Sequence, residues 1–115
     1  MIIGVVGACG AGKSSLVAGL QERGYKPRHI AQEHSYVLDM WKRITDPDVL
    51  IYLEVSYENT VMRKKLDWTV DEFTEELRRL RHARQNADLV IDTNPLTKEQ
   101  VLEKAIAFLM TISQN

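Results

Sequence analysis

Eight residues near the start of the chain, Gly7-Ala8-Cys9-Gly10-Ala11-Gly12-Lys13-Ser14, place glycines, a lysine and a hydroxyl at the spacing G-x-x-x-x-G-K-[ST]. Glycine permits backbone angles that turn successive N–H groups inward, and a helix opening directly after such a loop adds the positive end of its dipole. The result is a nest for phosphate oxygens. Gly7, Ala8, Gly10, Ala11 and Gly12 are the expected cradle, and Lys13 would reach the outer phosphates as a point charge. The Ser14 hydroxyl would hold a magnesium ion bridging those phosphates, and Ser15 would add a further contact. At background usage the four fixed positions coincide on the order of once in 10^4 to 10^5 starting points, so chance explains them poorly in one short chain. The expected ligand is a nucleoside triphosphate or another polyphosphate.

A loop of this kind needs a strand to carry it and a helix to follow it. Met1 to Val6 is a continuous apolar run suited to a parallel strand buried on both faces. Leu16, Val17 and Leu20 fall at helical spacing between Lys13 and Arg23, and Gly24 stops that helix. Tyr25 to Ala31 is a weaker strand, because Pro27 is tolerated best at an edge. Val37, Met40, Trp41 and Ile44 repeat at i, i+3, i+4, i+7 and predict an amphipathic helix over 36–44, ended before Asp46-Pro47. Val49 to Leu53 reads as a strand ending at Glu54, and Tyr57 to about Leu66 as a helix with a basic end. Thr69 with Glu72 makes a capping box for a helix bearing Val70, Phe73, Leu77 and Leu80 on one face. Asp88 to Asp92 is a further strand, and Thr97 with Gln100 caps a last helix carrying Val101, Leu102, Ala105, Ile106 and Leu109. The order β-α-β-α-β-α-α-β-α predicts one α/β domain over 1–115, a parallel sheet with helices on both faces. The 36–44 helix runs almost directly into the Val49 strand, leaving no room for another element, so the sheet should have about four strands.

With this strand, loop and helix the chain resembles the P-loop kinases of small molecules and nucleotides, such as shikimate, adenylylsulfate, dephospho-coenzyme A and nucleoside monophosphate kinases, in a shortened form. Asp48 to Ser56 followed by Arg63 is similar to the late strand that leads into the basic lid helix of that family, and Ala87 to Asn94 to its last strand and the loop beside the base. The resemblance implies a three-layer α/β/α fold that takes ATP, or another nucleoside triphosphate, with Mg2+. It implies that Lys13, Glu33 and Arg63 are catalytic, Arg63 as a lid arginine assisted by Lys64 and Lys65, and that Asn94 and Pro95 lie near the base. The alternatives are a solvated basic helix end for residues 63–65 and a plain turn for Asn94-Pro95. Members usually carry one more strand, with the metal acid and part of the acceptor pocket on it. Its omission takes away more of the acceptor site than of the nucleotide site. Two readings follow: an ATP-dependent phosphotransferase or slow NTPase with a small-molecule acceptor, and a non-catalytic nucleotide-binding module that acts on a protein partner.

Phosphoryl transfer needs an acid to hold hydrated magnesium or to orient the acceptor. Parallel sheets bind ligands beyond the carboxyl ends of their strands, where Glu33, Glu54 and Asp92 all fall. Glu33 is the first choice for metal and acceptor, close to where the family often places such an acid, and otherwise reads as a first-turn acid favouring a helix dipole. Glu54 is the second choice, and Asp92 reads as a loop-capping acid. His34 and Ser35 read as turn and cap residues. Cys9 is the sole cysteine; at a helix N-terminus its thiol pKa would fall, and its plainer reading is a small loop residue.

A formal net charge of −1 over 115 residues argues against a broad nucleic-acid surface. Arg78, Arg79, Arg81 and Arg84 crowd one helix, as an anion site, a partner surface or a solvated face. The apolar start is only six residues long and runs into the glycine loop, so neither a signal peptide nor a membrane span is expected, and the protein should stay in the cytoplasm.

Overall fold

The computed structural model describes residues 1–64 and 67–113, and within them the chain forms a four-stranded parallel sheet with helices packed against it. The strands are β1 (Ile2–Gly7), β2 (Lys26–His29), β3 (Val49–Glu54) and β4 (Leu89–Asp92), in the order β2-β1-β3-β4. The helices are α1 (Lys13–Glu22), α2 (Tyr57–Lys64), α3 (Val70–Asn86) and α4 (Lys98–Ser113). β2 pairs directly with β1, with Ile3 opposite Pro27 and Val5 opposite His29. Pro27 is thus on an edge strand, where its missing donor costs little.

The central strands explain themselves. Ile3, Val5, Val6, Leu50, Ile51 and Leu53 are all buried, as continuous apolar runs in a parallel sheet require. Each such side chain withdrawn from water contributes about 1.5–3 kcal/mol. Two aspartates just before strands fix where pairing begins: Asp48 accepts from the Ile2 N–H, and Asp88 accepts from the Leu50 N–H at 2.8 Å. α1 and α4 pack on one another while α3 takes β1 and β3, an arrangement compatible with three layers. Both capping boxes form. Thr69 Oγ1 accepts from the Glu72 N–H while the Glu72 carboxylate accepts from the Thr69 N–H, and Thr97 and Gln100 do the same at α4.

Two elements differ from the sequence pattern. The helix expected over 36–44 is replaced by turns and a short π-helical segment, Trp41–Thr45, and Val37 and Ile44 are exposed. The cause is Gln32, which is fully buried. An α-helix would join the Trp41 N–H to the Val37 carbonyl, but the Gln32 amide takes both, accepting from Trp41 N and donating to Val37 O, each at 2.9 Å. Gln32 also donates to the Arg79 carbonyl on α3, so one amide ties this segment to the helix behind it. In α3 itself the buried stripe is Phe73, Glu76, Leu80 and Ala83, while Val70 and Leu77 are exposed. The helix is turned so that a carboxylate, not a leucine, points inward.

Replacing Gln32 by leucine keeps the volume and strands the Trp41 N–H, while the Arg79 carbonyl keeps its place in the α3 ladder. The expected loss of stability in urea denaturation is about 1–3 kcal/mol, the cost of one orphaned buried donor, with faster hydrogen exchange at the Trp41 amide. A change under about 0.5 kcal/mol would show that the amide does not hold the segment.

Candidate functional site

The loop between β1 and α1 is shaped by backbone needs before any ligand is considered. Gly10 and Gly12 hold φ of 86° and 101°, the left-handed region where other residues are strained. At Gly7 a β-carbon would stand 2.7 Å from the Leu53 carbonyl oxygen, so the chain leaves β1 in contact with β3 only because no side chain is there. Gly12 caps α1 without a side-chain hydrogen bond, and the first amides of that helix have no intrahelical partner. Next to them lies a cavity of about 700 Å3, walled by the loop from Cys9 to Ser15, by Glu33, by Arg63 and by Thr93 to Lys98 in part.

Lys13 is buried, at 6 % exposure. Its ammonium donates to the Gly7 carbonyl, to the Ala8 carbonyl at 3.2 Å and to Glu33 Oε2 at 2.6 Å. Glu33, at 3 % exposure, sits in a single 3₁₀ turn, Gln32–His34, that follows β2. The two residues singled out for the phosphates and the metal are thus a buried ion pair. Glu33 Oε1 has no hydrogen-bond partner although it is buried, whereas the Glu33 carbonyl accepts from Arg79 at 3.3 Å.

The other candidates divide. Gly10, Ala11, Gly12, Ser14 and Ser15 line the same cavity as Lys13 and Glu33; Gly7 and Ala8 supply the carbonyls that hold the lysine. Arg63 reaches the cavity wall from α2 and donates to Thr93, to Oγ1 at 2.9 Å and to the carbonyl at 2.7 Å. Lys65 lies outside the described residues, as does the side chain of Lys64. Asn94 is occupied in its own loop: its Oδ1 accepts from Ser56 N and Asn59 Nδ2, and its Nδ2 donates to Asp92 Oδ1. The cavity is lined there by Leu96, Thr97 and Lys98, with Asn94 and Pro95 outside its lining. Asp92 caps that loop, and Ser35 closes a turn onto the Val37 N–H, as their sequence contexts indicate.

Glu54 belongs to another place. Arg84 binds it through two nitrogens at 3.0 and 3.1 Å, beside a second cavity of about 440 Å3 between β3 and α3. Arg78, Arg81 and Arg84 line that cavity, and Arg78 is paired with Glu75. Arg79 instead turns toward the turn after β2, 4.3 Å above the Tyr36 ring.

Glu76 is the residue that sequence patterning misses. It accepts from the Cys9 N–H at 2.9 Å through Oε1 and from the Cys9 thiol at 3.3 Å through Oε2. Burial, followed by the Glu76 hydrogen bond and charge, pushes the Cys9 thiol up to about 11. The expected lowering by the helix dipole is overturned, because burial, together with a carboxylate in direct contact, outweighs a partial charge.

Two measurements follow from this geometry. Lys13→Ala leaves Glu33 buried without its cation and should cost about 3–5 kcal/mol, whereas the joint change Lys13→Met, Glu33→Gln should recover most of it; equal destabilisation by the single and joint changes would contradict the pairing. Alkylation of Cys9 by iodoacetamide should rise with pH as the titration of a thiol near 11 demands, and at pH 8 should be well below that of an ordinary cysteine. Glu76→Gln should raise the rate at pH 8, and a wild-type profile with a midpoint at or below 9 would refute the assigned contact.

No protein-family model matches the chain, and no curated protein does.

Proposed function

We propose that this chain is a nucleoside triphosphate-binding domain of the P-loop type with three α/β/α layers, taking ATP as its default ligand together with Mg2+. The observation that carries this reading is the buried Lys13 ammonium in a left-handed glycine loop, between a buried parallel strand and an uncapped helix, beside a cavity of about 700 Å3. Uncapped N-terminal amides, a lysine and a hydroxyl are the donor set that phosphate oxygens require.

The magnesium expectation meets a specific feature of the site. Glu33 Oε1 is buried without a partner, and such an atom costs free energy unless something polar reaches it. Glu33 and the exposed Ser14 hydroxyl line one cavity, so a hydrated divalent cation fits their chemistry. Magnesium, when bound, would neutralise charge on the phosphate oxygens. Lys13 would exchange the Glu33 carboxylate for a phosphate oxygen, which keeps the ammonium paired and frees the carboxylate for the metal. Arg63 would hold charge at the cavity wall once released from Thr93, as a lid arginine does.

The binding reading is stronger than the turnover reading. Among the described residues the sheet has four strands, with none of the kind that carries an acceptor pocket in the kinases it resembles, and Glu54 is engaged by Arg84. Phosphoryl transfer to a small molecule, or slow hydrolysis, would rest on Lys13, Glu33 and Arg63 alone.

Calorimetry with ATP and GTP, with and without Mg2+, tests the proposal. Because Lys13→Ala strands Glu33, the comparison is Glu33→Gln alone against Lys13→Met, Glu33→Gln. Wild type should bind a triphosphate with Mg2+ present. Glu33→Gln should lose the Mg2+ enhancement, and adding Lys13→Met should weaken binding by at least about tenfold, near 1.4 kcal/mol. Absence of triphosphate binding by folded wild type would overturn the assignment, whereas binding without phosphate release would select the non-catalytic module.

A further inference from the structure

A second cluster of chemically active side chains stands against the loop, on the side of α3, and phosphate binding makes no use of it. Cys9 Sγ, His34 Nε2 and a Glu76 carboxylate oxygen all lie within 4.8 Å of one another. They come from three elements: the crest of the loop, the 3₁₀ turn after β2 and the buried face of α3. We propose that these three side chains form a site for a borderline-soft divalent cation, with Zn2+ the best match.

The geometry supports this directly. In a tetrahedral zinc site, bond lengths of about 2.3 Å to sulfur and 2.0–2.1 Å to nitrogen or oxygen put neighbouring donors roughly 3.3–3.6 Å apart. Here Cys9 Sγ stands 3.3 Å from Glu76 Oε2 and 3.8 Å from His34 Nε2. The remaining pair, His34 and Glu76, lies within 4.8 Å, and a swing of the exposed His34 side chain on the order of an ångström closes the set. His34 is largely exposed and Cys9 is half-buried, which gives an ion a route from solvent, while the buried Glu76 forms the floor.

The donors also select the metal. A thiolate and an imidazole favour zinc over magnesium or calcium, which prefer oxygen alone. Glu76 is already oriented, since its Oε1 is held by the Cys9 N–H and its Oε2 by the thiol. An arriving ion takes the place of that thiol proton: the S–H bond breaks, the proton passes to solvent, and a sulfur–metal bond forms. Glu33 Oε2, 3.8 Å from His34 Nε2, adds a second carboxylate to the surroundings. Water completes the fourth position. An ion held this way would pin the crest of the loop to α3 beside the Lys13–Glu33 pair, so it would stiffen the loop without needing a nucleotide.

The test uses the full chain without a histidine tag and without nucleotide, so its outcome is independent of the triphosphate reading. Titration with Co2+ should produce a thiolate-to-cobalt charge-transfer band and the visible absorption of a tetrahedral ion, saturating at one ion per chain. Zn2+ should displace the cobalt, bind with a Kd on the order of micromolar or below, and raise the melting temperature. Cys9→Ser should abolish the charge-transfer band, and Cys9→Ser and His34→Ala should each weaken Zn2+ binding by at least tenfold. Glu76→Gln should act alike, and if that buried change unfolds the chain, the exposed His34→Ala still decides. Absence of the band in wild type, or Zn2+ affinity unchanged in His34→Ala or Cys9→Ser, would overturn the site.

Discussion

A lysine ammonium almost without solvent contact must have its charge matched inside the protein, and the whole carboxyl edge of this sheet is arranged around that need. Two loop carbonyls and one carboxylate surround Lys13 Nζ. The carbonyls come from the point where β1 turns into the loop, so the lysine that opens α1 also fixes the shape of the segment before it. The carboxylate comes from the far side of β2, and its own backbone is held by Arg79 of α3. One ion pair therefore links the loop, the edge strand and the helix behind the sheet. A buried pair is weak evidence for stability in its own right, since desolvation offsets much of the attraction. Its value here is positional: it keeps a cation and an acid in one place, each able to change partner.

The acids of this protein are sorted by what each must satisfy. Asp48 and Asp88 accept from strand amides, Asp92 closes a loop, Glu54 meets Arg84, and Glu76 receives both groups of Cys9. Among the described residues, Glu33 is the acid that keeps a buried oxygen without a partner. That distinction separates the strand-end carboxylates more sharply than their positions in the sequence do, because all of them follow or precede similar apolar runs.

Much of this was legible in the chain itself. The glycine loop, the strands and both capping boxes are local features, set by backbone angles, side-chain period and hydrogen bonds over three residues, and the structure keeps them. The strand-end rule brought Glu33, Glu54 and Asp92 forward alike, and the family resemblance placed Glu33 first. What the sequence conceals is non-local. The apolar spacing of Val37 to Ile44 is helical, but Gln32 intercepts the hydrogen bond that helix needs. Leu77 looks like a core residue and Glu76 a surface one, yet the loop offers Glu76 an amide and a thiol, and hydrogen bonding inverts the expected burial. Asn94 has the composition of a ligand contact and spends its donors and acceptors on Ser56, Asn59 and Asp92. In each case a polar side chain found a partner far along the chain, which no periodicity records.

The shortness of the sheet bears on the site as well as on the fold. Neighbouring strands lie about 4.8 Å apart, so a strand inserted between β2 and β1 would move the end of β2 to roughly 10 Å from the end of β1. Here β2 lies beside β1, and the Ile30 N–H still donates to the Val5 carbonyl, two residues before the loop begins. Three residues after Ile30 comes Glu33. The direct pairing of edge strand and central strand thus delivers a carboxylate to the loop lysine without any additional element. The same pairing brings the carboxylate that carries a partnerless oxygen next to the glycine loop. On that account the strand order of the sheet and the composition of its charged centre have a single geometric cause.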